Sequence, residues 1–148
     1  MPLKLSDRMA PLVEQLEYEV STWPNIRVGR HRFGGHEFVV GTAEVGHVHG
    51  DGTVDIPFTH SLRNALLAEG LVEEHLHVPN SGWATFRIRS AEDVAHAARL
   101  MRLSYLRYLL KNAANPAELV ETEATRINLS SQLKTILHGM IVNASQPS

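Results

Sequence analysis

The chain contains no cysteine. That single absence removes disulfides, thiolate zinc sites, iron–sulfur clusters and cysteine nucleophiles. A dominant sign of charge is missing too: 14 Lys and Arg stand against 16 Asp and Glu, a formal net charge of −2. No global field therefore draws the protein onto nucleic acid, and only a local basic patch is left for that role. No apolar run approaches membrane-spanning length, and MPLKLSDRMAPL lacks the apolar core of a signal peptide. The expected location is the cytoplasm, with no membrane partner. Motifs for common chemistries are absent as well. There is no Gly-x-Ser-x-Gly elbow, GGHEFVVG has neither Walker spacing nor a helix after a strand, and no nucleotide or flavin fingerprint occurs.

What remains is 148 residues, the size of one domain able to bury a core without staples. Nine histidines are the compositional oddity.

The first segment reads as a helix, with Met9, Leu12, Val13, Leu16 and Val20 on one face and Pro11 acceptable in the first turn. Trp23-Pro24-Asn25 ends it. Residues 26–58 then change period. IRVGRHRF, HEFVV, AEVGHVH and TVDIPF are short β-rich runs separated by Gly34-Gly35, Gly41-Thr42 and Gly50-Asp51-Gly52, the pattern of an antiparallel meander. A short helix follows, capped by Thr59 and stopped by Gly70. VEEHLHV and WATFRIR flank Pro79-Asn80-Ser81-Gly82 and read as a further hairpin. Ser90 and Asp93 resemble a capping box opening a helix that carries Val94, Ala98, Met101, Tyr105 and Tyr108. Asn115-Pro116 opens another helical stretch. Leu133, Ile136, Leu137, Met140 and Ile141 give it an apolar stripe that must cover either the protein's own sheet or a second subunit. Asn128 to Ser131 marks a weak point, and the tail NASQPS is expected to be disordered.

The fold class is therefore α+β: an antiparallel sheet made of a four-strand meander and a later hairpin, with helices packed on one face and a C-terminal helical extension. The expected division is a domain over 1–112 and an extension over 113–148.

The histidines concentrate in GHVHGDGTVDIPF, residues 46–58. His47 and His49 share a strand face, because alternate residues point the same way. Two registers are open. A three-residue loop with Gly52 left-handed places His47 opposite Asp55, so two imidazoles and a carboxylate share a face while Val48, Val54, Ile56 and Phe58 take the other. A two-residue Asp51-Gly52 turn instead pairs His47 with Ile56 among core residues. The binary pattern favours the first. A Gly41-Thr42 turn favours the second, since it groups Phe38 and Val45 with the histidines. His-x-His plus a carboxylate is a recurrent way to hold a divalent metal, with His47 and His49 as ligands and His31, His36, Glu37, His75 and His77 as the residues able to add more. The spacing equally describes two histidines bonded locally on a sheet face. His75 and His77 repeat the pattern on another strand and are expected as an unrelated, exposed pair.

Arg27, Arg30, His31 and Arg32 cluster in RVGRHRFGG, and Arg87 and Arg89 in FRIR. On neighbouring strands they form an anion-binding surface; otherwise they are a solvated sheet edge guarded by charge, the expected state. Ser81 offers a hydroxyl beside Trp83, although turn chemistry explains it equally.

Taken together, HRFGGHEFVVG, EVGHVHGDGTVDIPF, VPNSGWATFRI and SAEDVAHAARLMRLSYLR resemble the small bacterial and fungal proteins of the luciferase-domain family, over about residues 10–110. The linked blocks GHxHGDGxxDIPF and SGWxxFRI carry the resemblance, which implies no particular activity. The order of elements is also similar, more distantly, to the double-wing (frataxin-like) α+β group, in which nucleic-acid binding has been suggested and where Trp83 occupies a position often held by tryptophan. These readings converge on a small-ligand-binding or enzyme-like domain of unassigned reaction. Its pocket would be lined by Arg32, Glu37, His47, His49, Asp55, Ser81, Trp83 and Arg87, with a histidine as general base oriented by Asp55. The partner would be an unknown small molecule, and the cofactor, if any, a divalent metal. The alternative is an interaction module that binds nucleic acid through Arg27, Arg30, Arg32, Arg87 and Arg89, or forms a homodimer through the C-terminal helix.

Overall fold

Val48, Val54, Ile56 and Ala84 are buried and alternate along their strands with His47, Asp55 and Thr85. A pleated strand sends such alternate residues to opposite faces, so one face of the sheet is apolar and the other polar. The computed structural model describes residues 5–30, 34–75, 78 and 81–145. Its elements run α1 (Leu5–Ser21), β1 (Arg27–Arg30), β2 (His36–Val40), β3 (Ala43–Val48), β4 (Thr53–Pro57), α2 (His60–Ala68), β5 (Glu73–Glu74), β6 (Trp83–Arg87), α3 (Ala91–Lys111), α4 (Pro116–Arg126) and α5 (Ser131–Ser145). The strands form one antiparallel sheet in the order β1-β2-β3-β4-β6-β5. This is the α+β architecture expected, a meander extended by a later hairpin.

Helices α1 and α3 pack together and cover the apolar face, where Leu16, Val20, Met101 and Tyr105 meet Phe38, Val48 and Ile56 in one buried cluster. Val120 of α4 and Leu133 and Leu137 of α5 join the same cluster. The apolar stripe of α5 is thus laid on α2 and α4 of its own chain, and not on the sheet. A buried ion pair fixes α4 to α3: Arg102 donates to Glu123 at 2.6 and 3.2 Å. The guanidinium carbon lies 5.1 Å from the ring centres of both Trp23 and Tyr105. Among the described residues, no helix is long and apolar enough to cross a membrane.

Local signals at several helix ends hold. Thr59 Oγ1 accepts from Leu62 N and Asn115 Oδ1 from Glu118 N, each at 3.2 Å. Ser90 makes no side-chain cap bond and Asp93 accepts from Arg89 N at 2.8 Å, one residue before the cap, so the box expected there does not form. Two further expectations fail. Pro11 lies well inside α1 and not in its first turn; its ring points to solvent, and the buried face of Val13, Leu16 and Val20 offsets the lost hydrogen bond. Asn143 to Ser145, assigned to a disordered tail, are the last turn of α5.

The arginines do not gather. β1 and β6 are separated by β2, β3 and β4, roughly 19 Å at ordinary strand spacing. Arg27 instead donates to Gly41 O at 2.6 Å, and Arg32 lies outside the described residues.

The register of the central hairpin is the three-residue loop. His47 pairs with Asp55 and Val48 with Val54, His49 N donates to Thr53 O at 2.8 Å, and Gly52 has φ +90°. The conflicting signal from Gly41-Thr42 is also real, because Val40 pairs with Ala43 across a two-residue turn. A β-bulge reconciles them. Val39 pairs with Glu44 but Phe38 with Gly46, so Val45 is an extra residue and the faces of β3 exchange beyond it. Gly46 then lies so close to α3 that a Cβ there would sit 2.6 Å from Met101 Sδ.

Loop geometry gives a paired expectation. A Cβ on Gly52 would lie 2.8 Å from Ile88 O, in addition to the positive φ, whereas Gly41 has φ +61° with open space around it. Gly52→Ala should cost about 2 kcal/mol in urea unfolding, and Gly41→Asn well under about 1 kcal/mol. Equal losses would contradict the register described.

Candidate functional site

Cross-strand pairing lines up one row of side chains on the polar face. Glu37 of β2 pairs with His47 of β3, His47 with Asp55 of β4, Asp55 with Thr85 of β6, and Thr85 with Glu73 of β5. Directly paired residues share a face. His49 lies two residues beyond His47 and therefore joins them, as Trp83 and Arg87 do on either side of Thr85.

Asp55 is the centre of this row. Its Oδ2 is 3.2 Å from His47 Nε2 and 3.1 Å from His49 Nε2, and its Oδ1 accepts from Thr85 Oγ1 at 2.7 Å. His75 Nε2 stands 3.6 Å from the same Oδ1. The other nitrogen of His47, Nδ1, is 2.8 Å from Glu44 Oε2. His47, Asp55 and Thr85 are only 7%, 6% and 4% exposed, so these contacts form largely out of water. The Trp83 ring centre lies 5.4 Å from that of His47 and 6.2 Å from that of His75, walling the cluster on the β6 side.

Burial by itself would lower the pKa of His47, because it penalises the imidazolium. The hydrogen bonds to Asp55 and Glu44 outweigh it and push the pKa up to about 9. Burial would likewise raise Asp55, but the bonds from His47, Thr85 and His49 and the nearby His75 hold its carboxyl well below the usual range. His47 is accordingly an imidazolium at neutral pH in the metal-free protein.

The three imidazole–carboxylate contacts differ in length. The His47–Glu44 contact, at 2.8 Å, has the length of a charge-assisted hydrogen bond. The contacts of 3.1 and 3.2 Å around Asp55 Oδ2 are longer, at the upper end of the ordinary hydrogen-bond range. One suitable atom from each of His47, His49 and Asp55 lies within 4.8 Å of the others. When Nδ1–H of a neutral His47 donates to Glu44, its Nε2 lone pair points at a carboxylate lone pair. That arrangement needs a cation between them, either a proton or a metal.

The candidate residues divide accordingly. His47, His49, Asp55 and Trp83 come together, with Glu37 beside them in the row. The Ser81 hydroxyl is occupied in its turn, donating to Val78 O at 2.7 Å and accepting from Trp83 N at 3.1 Å. Arg87 is on the rim, donating to Glu73 at 3.2 Å and to Thr53 at 3.4 Å. His36 pairs with Val48 on the other face and bonds Glu17 at 2.6 Å. Arg32, His31 and His77 lie outside the described residues. Expected in an unrelated exposed pair, His75 instead reaches Asp55, because β6 returns beside β4 and carries β5 with it.

Two members were missed. Thr85 follows Trp83 by two residues, so the strand period that selected Trp83 also selects Thr85. Glu44 precedes His47 by three, an odd interval that separates faces in a regular strand; only the bulge at Val45 unites them. A glycine inside a strand, Gly46, is the one local hint of it.

The direction of the His47 shift fixes a pH dependence. Its folded pKa of about 9 exceeds the unfolded 6.5, so its contribution to stability is complete below pH 6.5 and is lost as pH rises through 9. Metal-free protein should lose about 3 kcal/mol of unfolding free energy across that interval. In His47→Gln the loss should largely disappear, which urea titrations at pH 6, 7.5 and 9 would measure.

No curated protein and no solved structure matches the chain. The family model of the Luciferase domain matches residues 42–104, a stretch that holds Glu44, His47, His49, Asp55, His75, Trp83 and Thr85, so the whole cluster falls within the matched stretch.

Proposed function

We propose that this is a small-ligand-binding, enzyme-like domain centred on a divalent metal held by His47 Nε2, His49 Nε2 and Asp55 Oδ2. The carrying observation is the convergence of those three atoms, with the remaining polar atoms of His47 and Asp55 already engaged. Glu44 fixes His47 in the tautomer that carries its lone pair on Nε2, the carboxylate–histidine–metal relation seen around bound metals. Thr85 holds Oδ1 and so turns Oδ2 toward the imidazoles. Two neutral nitrogens and one carboxylate oxygen suit zinc, iron, manganese or cobalt, and three protein ligands leave room for a further molecule. When bound, such an ion supplies Lewis acidity toward a small oxygen-bearing ligand. The protein's own part is to hold the ion in a partly buried site, with His49 on the more open side at 27% side-chain exposure.

Calorimetric titration of chelator-treated protein with zinc or cobalt, checked by elemental analysis, should give one ion per chain. The double variant His47→Ala, His49→Ala should weaken binding at least about a hundredfold, and Glu44→Gln or Thr85→Val about ten- to a hundredfold. Absence of binding at micromolar metal, or unchanged binding in the double variant, would remove the metal from this reading.

A further inference from the structure

We infer that a cavity among the helices is a second binding site, and that it takes an alkyl monocarboxylate such as octanoate. The cavity measures about 410 Å³ and lies between α2, α3 and the turn joining α4 to α5. That volume is at the small end of ligand pockets. No residue of its wall belongs to the polar row around Asp55, so the site does not depend on the metal centre proposed above. Two helix ends of the same design build it. α2 stops at Gly70 and α4 at Asn128, with φ of +72° and +54°. Leu71 N then donates to Leu66 O at 3.0 Å, and Gly70 N to Leu67 O at 3.0 Å. Likewise Leu129 N donates to Ala124 O at 2.9 Å, and Asn128 N to Thr125 O at 3.4 Å. This is the Schellman arrangement, which folds the residue after the left-handed one back across the helix end. Both of those residues are leucines here, and both line the cavity half-buried.

The chemistry of the ligand follows from the lining. Leu66, Leu100, Leu103 and Leu133 form a buried apolar floor, on which each methylene of a ligand strengthens binding about fourfold. Charge sits only at the mouth. Arg99 is exposed there, and among the described residues it makes no hydrogen bond or ion pair. Glu69 stands at the same mouth, with its Oε2 accepting from Ser130 Oγ at 2.8 Å. One cation facing one anion favours a singly charged head group over a dianion. A carboxylate matches the planar fork of the guanidinium, and its alkyl chain then runs inward over the leucines. Leu129 and Leu133 belong to the C-terminal helices, which thereby close a groove that α2 and α3 alone leave open.

The test is calorimetric titration of the full chain with octanoate after chelator treatment, so that no metal competes for the carboxylate. Wild type should bind one octanoate with a Kd below about 1 mM, and hexanoate, two methylenes shorter, about fifteenfold more weakly. Arg99→Gln should weaken octanoate about tenfold and leave the affinity for 1-octanol unchanged, because only the charged head group meets the guanidinium. Leu129→Trp, which fills the space, should weaken octanoate at least about tenfold. Should that variant fail to fold, the exposed Arg99 position still decides. No octanoate binding by wild type at about 5 mM overturns the assignment. Equal octanoate affinity in wild type and Arg99→Gln does so too, as does a folded Leu129→Trp that binds like wild type.

Discussion

One additional residue in β3 decides what the polar face contains. The Gly41-Thr42 turn and the Gly50-Asp51-Gly52 loop each set a parity for the strand between them, and the two parities are opposite. Without the bulge at Val45, either Phe38 would face solvent or the histidines would face the core. With it, Phe38 and Val48 are both fully buried while His47 meets Asp55. The same insertion carries Glu44 to the side of His47. A packing conflict and a functional requirement are met by a single distortion, at the point where α3 presses Met101 against Gly46.

Electrostatics then organises the row. A carboxylate buried to 6% exposure is unfavourable unless several donors or cations satisfy it. Asp55 is surrounded by three imidazoles and a hydroxyl, from β3, from β6 and from the residues that directly follow β3 and β5. Glu44 supplies a second negative group behind His47, so the cluster gathers positive charge to its middle. The outer charges, Arg87 with Glu73, pair with each other at the rim and leave that middle undisturbed.

Legibility in the sequence followed the range of the interaction involved. Alternation separated Val48, Val54, Ile56 and Phe58 from His47 and Asp55 without any knowledge of tertiary structure, and the caps at Thr59 and Asn115 depend on residues three apart. The hairpin register depended on loop length, and local patterns pulled it both ways because each was correct for its own turn. Glu44 required the bulge, for which Gly46 was the only hint. His75 required the order β4-β6-β5, a pairing across about thirty residues that no local period encodes. Ser81 illustrates the reverse: a hydroxyl beside an aromatic looked available, but its bonds to Val78 O and Trp83 N hold the turn.

The boundaries of family similarity and of physical shelter differ here. Residues 42–104 include every side chain of the cluster, yet they stop at Ser104, in mid-helix, and omit α1, β1, β2, α4 and α5. Excised alone, that stretch would bare the face that Leu16, Val20 and Phe38 now keep dry. It would also strand Arg102 without Glu123, two residues inside its end. The groups able to do chemistry and the groups that make a place for it are thus written in different parts of the chain, and the flanks are as much a component of the site as the histidines.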